Sequence, residues 1–287
     1  MKKFAKILCR ISIIVATALV LYIAFAFFGN PMSYLIAKKN ASNFMEENFG
    51  DSHFKISHVN HDFKTGSYYA YVDSPTSQDS YFTIYFNEWG RYRYDSYEDV
   101  TNKYTTFYRL NNQYWDFVRK NAADRNSRFD ISIYFGDIKA AGVYEIYTYI
   151  DENGEIVEYT LDKEYGLVIS TLELDKEYDI YQIGRNCGCI TLYIHDPEVT
   201  VERAAELLLE VKDYLDASNV PFYAIDFNLC APRNEEGQLI GDQITLFEFL
   251  YSDIYEDGLV DRVQESWEIT QKHYAIQDKE KAVFTDK

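Results

Sequence analysis

Apolar and polar positions fall into three regimes along the chain. From Ile11 to Phe28 no charged residue interrupts the apolar run. Those residues make about 27 Å of helix at 1.5 Å per residue, close to the roughly 30 Å hydrocarbon core of a bilayer. Gly29-Asn30-Pro31 then stops one helix and starts another, because Gly suits the position after a helix end and Pro the first turn of the next. From Pro31 to Phe49, Met32, Leu35, Ile36, Ala41, Phe44 and Met45 predict an apolar side that needs a partner surface, with Lys38, Lys39, Glu46 and Glu47 elsewhere. Beyond Gly50 the period changes to two. Strands are predicted at Phe54–Phe63, Tyr68–Asp73, Tyr81–Asn87 and Arg91–Asp95, separated by short Gly-, Pro- and Ser-containing turns. In the third, Phe82, Ile84 and Phe86 alternate with Tyr81, Thr83 and Tyr85. Turns this short cannot carry parallel crossovers, so a helix packed on an antiparallel meander is predicted. A helix over Glu98–Ala122 places Tyr104, Phe107, Leu110, Tyr114 and Phe117 at helical spacing, and Asn121–Ser127 reads as a link.

The second half repeats this grammar in a different order. Strands are predicted at Phe129–Phe135, Val143–Ile150 and Glu155–Leu161, the last two joined by Asp151-Glu152-Asn153-Gly154, a hairpin signal. Read as a calcium loop, that tetrad puts Gly at position 4 where position 6 is required. Asp179 with Gln182 predicts a capped helix over Ile180–Cys187, and Cys189–His195 a strand. Thr200 caps a helix over Val201–Leu215 with Ala204, Ala205, Leu208 and Val211 in its apolar stripe. Strands at Phe222–Leu229 and Gln243–Phe249 follow, then a helix over Asp257–Ile276. The fold class predicted is α+β: an N-terminal transmembrane helix followed by two small α+β domains, the second a mixed sheet with two helices on one face. The domains read as 1–30 (basic start and membrane helix), 31–125, 126–277 and a charged tail, 278–287.

Charge sharpens this picture. The formal net charge is −18, and the four basic residues Lys2, Lys3, Lys6 and Arg10 leave −22 for everything after them. Nucleic acid is thereby a poor partner, since neutralising phosphates needs clustered Lys and Arg. The same four cations lie before the apolar run, and Lys38 and Lys39 are the nearest after it, so the positive-inside bias places the N-terminus in the cytoplasm and both domains outside. A cleaved signal peptide is the rival reading, with Ala24-Phe25-Ala26 as cleavage site. A lipoprotein reading fails because Cys9 precedes the apolar segment. With 27 Tyr and 19 Phe against 5 Pro and 13 Gly, the chain is an ordered, strand-rich one.

The apolar anchor, Gly29-Asn30-Pro31, the Lys-rich helix after it, and Ser74-Pro75-Thr76-Ser77 with Asp79 before Phe82-Thr83-Ile84 resemble the YfjL-like proteins, membrane-anchored proteins of Gram-positive bacteria. The resemblance continues through Leu174-Asp175-Lys176-Glu177-Tyr178 and Val220-Pro221-Phe222-Tyr223-Ala224-Ile225-Asp226. It implies an anchored topology and two domains, and it supplies no catalytic residue. A single helix on a meander is also similar to cystatin-like and PepSY-like modules, which bind or inhibit more often than they catalyse.

Candidate chemistry is sparse. Cys187-Gly188-Cys189, with Arg185 nearby, is a candidate redox pair outside the cytoplasm. Its position at a helix C-terminus disfavours a thiolate, and no thioredoxin-like strand-then-motif order precedes it. A Cys189–Cys230 link is disfavoured because parallel strands would hold the two about 20 Å apart. His53, His58 and His61 suggest a metal, yet on a strand His58 and His61 face opposite ways, so no metal site is expected. His195 and Asp196 mark a strand-to-helix turn with no nucleophile nearby. No phosphate loop, nucleophile elbow or zinc spacing occurs, and no cofactor is expected. Tyr69, Tyr71, Tyr81 and Tyr85 form the candidate binding surface, with cross-strand stabilisation of the sheet as the competing role. The reading is thus a single-pass membrane-anchored extracytoplasmic protein that binds a protein or peptide partner in a regulatory or scaffolding role. The alternatives are a thiol/redox protein using Cys187 and Cys189, or a hydrolase whose site is not apparent.

Overall fold

Two helices open the computed structural model, which describes residues 2–122, 131–142, 146–150, 156–160, 165–238 and 241–285. α1 (Lys2–Phe28) and α2 (Pro31–Phe49) are separated by Gly29 at φ 79° and by Asn30, whose Oδ1 accepts a hydrogen bond from the Met32 amide at 2.9 Å. The expected boundaries hold, and Ala41, Phe44 and Met45 of the expected apolar side meet the core, but its first turn does not. Ser33, Ala37, Ala41 and Met45 face the core, whereas Met32, Leu35 and Ile36 are exposed. Small residues at i, i+4 spacing let the helix lie close to a sheet, which the longer side chains would hold off.

That sheet is an antiparallel meander of β1 (Lys55–His61), β2 (Tyr68–Ser74), β3 (Ser77–Phe86) and β4 (Tyr92–Asp95), in sequence order. Its inner face contributes Val59, Tyr68, Ala70, Val72, Phe82, Ile84 and Phe86 to the core. Phe49, Phe54, Phe82 and Tyr97 close one end with edge-on and tilted ring contacts at 4.8–5.8 Å. The helix predicted over Glu98–Ala122 is two helices, α3 (Tyr97–Thr101) and α4 (Tyr104–Asn121). Val100, Thr101 and Asn102 are weak helix formers, and Lys103 takes a left-handed conformation at φ 67° between them.

Contacts divide the chain into two compact units after Thr106, with Leu172–Lys176 counted in the first. A reciprocal pair of aspartates holds that segment there. The Asp175 amide donates to Asp79 Oδ2 (2.8 Å), and the Asp79 amide donates to Asp175 Oδ1 (3.1 Å). Thr106 Oγ1 also donates to the fully buried Asp79 carboxylate (2.9 Å).

The second unit is built on a mixed sheet. Its strands β5 (Ile131–Ile138), β8 (Gly188–His195), β9 (Ala224–Cys230) and β10 (Gln243–Leu250) are ordered 10-9-8-5. β8 and β9 run parallel, linked by α6 (Val201–Ala217), and the other pairings are antiparallel. A separate antiparallel hairpin joins β6 (Ile146–Ile150) to β7 (Ile156–Thr160); the predicted tetrad turn Asp151–Gly154 lies outside the described residues, as does most of the predicted link Asn121–Ser127. Thr200 caps α6 and Asp179 caps α5 (Ile180–Cys187), as their sequences predict. The last helix, α7 (Leu259–Thr285), packs on α6 and β10. It runs past the expected end at Ile276, since no Gly or Pro follows Gly258 to stop it. Tyr114 of α4 is fully buried and donates to the Pro221 carbonyl at 2.8 Å. Gly184 and Gly188 press against its ring and hydroxyl so closely that a Cβ at either would stand 2.5 Å from it.

Candidate functional site

One face of the second sheet is apolar. Ile190, Leu192, Ile194, Ile225, Phe227, Leu229 and Leu246 line it, buried with Ala204, Leu208, Val211 and Leu215 of α6. The opposite face is polar, and it holds a half-buried group of one cation and three carboxylates. Strand alternation places Asp137 on β5, Cys189 and Thr191 on β8, and Asp226 and Asn228 on β9 on this face. Glu248 joins them through a bulge in β10 between Leu246 and Phe249, where it adopts φ 46° and its amide donates to Asp226 Oδ1 at 2.7 Å. Lys139 follows β5 directly, its amide donating to the Cys187 carbonyl (2.9 Å) and its carbonyl accepting from Leu167 (2.8 Å).

Lys139 is the hub. Its Nζ lies 3.3 Å from Asp137 Oδ2, 3.4 Å from Glu248 Oε1 and 4.0 Å from Asp226 Oδ2. Because β5 and β10 are the two edge strands, this one side chain ties both edges together across β8 and β9. Tyr165, stacked on Tyr223 at 4.4 Å, donates its hydroxyl to the other oxygen of Glu248. Thr191 Oγ1 donates to Asp226 Oδ2 (3.2 Å). Further along the face, buried Asn228 accepts from Gln243 (3.2 Å) and Thr245 (3.0 Å) and donates to the Leu192 carbonyl (3.2 Å).

Burial and charge set the protonation of this group. Burial raises the Asp137 carboxyl, against the pull of Lys139, and Asp137 Oδ1 is buried with no hydrogen-bond partner among the described residues. Burial alone would lower Lys139, but the negative groups around it outweigh burial and hold it as an ammonium ion. The Cys189 thiol, kept protonated by its own burial, leaves that work to the carboxylates. Tyr165 is raised by burial and by its bond to Glu248. A lysine held charged is no nucleophile, and it occupies the centre that a cation would need; no group of three His, Cys, Asp or Glu able to hold a metal occurs among the described residues. The arrangement acts as a charged clasp on an otherwise awkward polar face.

The candidate redox residues lie beside this clasp. Cys187 ends α5 and donates its thiol to the Ile183 carbonyl (3.2 Å), while Cys189 is fully buried on β8. Both are free thiols, and burial pushes Cys187 up to about 12 and Cys189 well above its ordinary value. Neither has the thiolate that exchange chemistry needs. Cys230 is also free; the register sets Cys189 opposite Ala224 and Cys230 opposite His195, at the two ends of the parallel pair. His195 Nδ1 sits 3.2 Å from the Ala231 carbonyl, and Asp196 binds the Arg203 guanidinium at 3.0–3.1 Å, so both finish the turn into α6.

In the first unit, Tyr69, Tyr71, Tyr81 and Tyr85 share the sheet face opposite α2, each half-buried. Tyr71 stacks on Tyr81 (5.9 Å) and on His58 (5.3 Å), and Tyr85 on Tyr94 (4.5 Å), forming a cross-strand aromatic ladder. His61 faces the other way, against Tyr68. The charged clasp has no place in the sequence-derived candidates. Its signal is a lone acid in each of three apolar strand runs: Gly136-Asp137-Ile138, Ile225-Asp226-Phe227 and Phe247-Glu248-Phe249.

Two family profiles match the chain: "YfjL-like, N-terminal domain" over residues 2–96 and "YfjL-like C-terminal domain" over residues 142–264. No curated protein and no solved structure matches it.

Proposed function

We propose that this chain, which belongs to the YfjL-like family, is a single-pass membrane protein that holds two α+β units outside the cell and acts by binding. The observation that carries the anchoring is the surface of α1: Ile13, Ile14, Val15, Leu19, Val20, Ile23 and Phe28 all stand exposed on its charge-free stretch from Ile11 to Phe28. It is the one helix among the described residues long and apolar enough to cross a bilayer. Water is an unfavourable solvent for such a surface, and nothing in its own composition offers a second face. Retention of the helix, rather than its cleavage, is supported by its continuation into the fold. Phe27 stacks on Phe63 at 6.2 Å, and the Asn30 amide donates to the Tyr68 hydroxyl at 2.7 Å. Lys2, Lys3, Lys6 and Arg10 before the span support a cytoplasmic N-terminus.

The binding surface under this reading is the aromatic ladder of Tyr69, Tyr71, Tyr81 and Tyr85, a rigid row of rings with polar tips suited to a protein or peptide partner. The redox alternative has no support in the buried, protonated thiols of Cys187 and Cys189. The test is carbonate extraction of membranes and protease shaving of intact cells. The protein should stay with the membrane while residues beyond Pro31 are digested; release by carbonate or resistance to protease overturns the topology. Crosslinking in intact cells should then recover a partner from wild type and lose it in a Tyr71→Ser, Tyr85→Ser variant that still folds.

A further inference from the structure

A meander sorts its turns by end. The β1–β2 and β3–β4 turns lie at one end of the first sheet and the β2–β3 turn at the other, about 23 Å away for a seven-residue strand. At the far end the turn reads Ser74-Pro75-Thr76-Ser77, which is polar. At the near end each turn carries an exposed aromatic at its tip, Phe63 in one and Trp89 in the other. Neither tip is loose. Asp62 accepts from the Lys64 amide (2.9 Å) and Thr65 hydroxyl (2.8 Å), and Asn87 Oδ1 accepts from the Trp89 and Arg91 amides (3.0 Å each).

The near end is also where α1 arrives. Phe63 stacks on Phe27, and Tyr68, the first residue of β2, holds both the amide and the carbonyl of Asn30. Gly90, at φ 75°, fits so tightly on α2 that a Cβ there would lie 2.4 Å from the Ser33 carbonyl oxygen, and its own carbonyl accepts from Asn40 at 2.8 Å. The exposed side of α2 is graded along its length. Met32, Leu35 and Ile36 come first, Lys38 and Lys39 next, and Glu46 and Glu47 last.

We propose that Phe28, Met32, Leu35, Ile36, Phe63 and Trp89 form an apolar collar seated in the interfacial layer of the bilayer that holds α1, so that the first unit rests on the membrane by its turn end. The inference rests on the anchoring reading and adds to it a defined posture. Each of the six residues is between 43 % and 84 % exposed; Phe63 touches α1 through Phe27, and Trp89 precedes Gly90, which lies against Ser33 and Ile36 of α2, so the six continue from the end of α1. Lipid is the occupant that this continuity selects. Trp89 at the rim matches the aromatic belt of membrane proteins, Phe63 adds apolar surface at the same end of the sheet, and Lys38 and Lys39 follow two and three positions after Ile36, where ammonium groups meet headgroups. The acidic Glu46 and Glu47 are kept furthest from the surface.

The test uses the full chain in phosphatidylcholine nanodiscs with Trp89 as the single tryptophan (Trp115→Phe, Trp267→Phe). Lipids spin-labelled near the top of the acyl chain should quench Trp89 more than lipids labelled near its end. A Val15→Trp reporter in a Trp89→Phe background should show the reverse order. Quenching of Val15→Trp with none at Trp89 overturns the collar and leaves the anchor standing; quenching at neither position overturns both. Wild-type protein gives a reading free of substitutions: a photoactivatable acyl-chain lipid should label peptides containing Met32–Ile36 and Phe63, and labelling confined to α1 would refute the collar.

Discussion

Replacing Lys139 by Met removes one charge and keeps most of the side-chain volume, so it isolates what the ammonium ion does. Three carboxylates lie within 4.0 Å of that nitrogen, and the four side chains are only 10–26 % exposed. Breaking a buried ion pair on one side costs about 3–5 kcal/mol because a charge is left without a partner. Residual exposure here lets water screen part of that, so about 2–3 kcal/mol is expected. For a unit of this size, with about 2–4 °C per kcal/mol, the melting transition should fall by about 4–12 °C at pH 7.5. The pH dependence identifies the cause. Asp137 already has a raised carboxyl in the folded state, so its contribution favours folding below its unfolded value of 3.8 and is lost as pH rises through the folded value. Lys139 is raised too, so its contribution is complete below 10.5 and constant across the acidic range. Without it, the pull that opposes burial at Asp137 is gone, so protonation of that carboxyl gains more stability, and the deficit of Lys139→Met should shrink as pH is lowered toward about 4. The assay is differential scanning fluorimetry of the full chain in nanodiscs, with hydrogen exchange at β9 and β10 to assign the transition. A deficit equal at both pH values would mean that lost packing, not unpaired charge, is responsible. No deficit at pH 7.5 would mean that the clasp carries no net stability. In a double-mutant cycle, Glu248→Gln should cost less in the Lys139→Met background than alone, by about 0.5–3 kcal/mol.

Tyr68→Phe leaves the Asn30 amide and carbonyl without their shared partner, so it should cost about 1–3 kcal/mol and speed hydrogen exchange at Asn30, with unchanged exchange there refuting the joint. Gly90→Ala should destabilise the first unit by more than about 2 kcal/mol, since the added Cβ meets the α2 backbone and the residue must keep φ 75°; a melting curve matching wild type would show that α2 has room to move. Iodoacetamide at pH 8 should leave Cys187, Cys189 and Cys230 largely unmodified in native protein and modify all three in denaturant; rapid native labelling of Cys187, read by mass spectrometry, would revive the redox alternative.

Local signals in the chain act over a few residues, and the elements they governed were legible. Asn30 with Pro31, Asp179 with Gln182 and Thr200 each start a helix where expected, because a cap is a contact between near neighbours. The meander follows from turns too short for any other connection, and the parallel β8–β9 pair from an amphipathic helix between two apolar strands. The charged clasp was not legible for the opposite reason. Asp137, Lys139, Tyr165, Asp226 and Glu248 are spread over more than a hundred residues, and only strand order brings them together. Glu248 reaches the group through a bulge, which shifts the facing of every residue after it and leaves no trace in an alternation count. The break at Lys103 was lost because the apolar spacing runs across it, while three weak helix formers before it decide where α3 ends.

Only the first turns of α2 depart from the expected face, because an apolar stripe fixes that residues avoid water, not which apolar phase receives them. Met32, Leu35 and Ile36 sit at i, i+3, i+4, which is core spacing, yet Ser33, Ala37, Ala41 and Met45 occupy the core. Small side chains win that contact because Gly90 and the sheet can approach the α2 backbone over them, and the resulting dispersion contacts are lost if a longer residue intervenes. A soluble helix built this way would expose three large apolar residues to water at an unfavourable cost of about 1.5–3 kcal/mol each, relative to burying them. Directly after an apolar helix that same exposure becomes favourable if lipid receives it, and Lys38 and Lys39, two and three positions beyond Ile36, then mark the polar limit of that layer. The helix has two apolar sides because it has two apolar neighbours, a sheet and, under the collar proposal, a bilayer. Substituting Leu35→Ser and Ile36→Ser separates them: the core side is untouched, so the fold should persist while photolabelling by lipid declines.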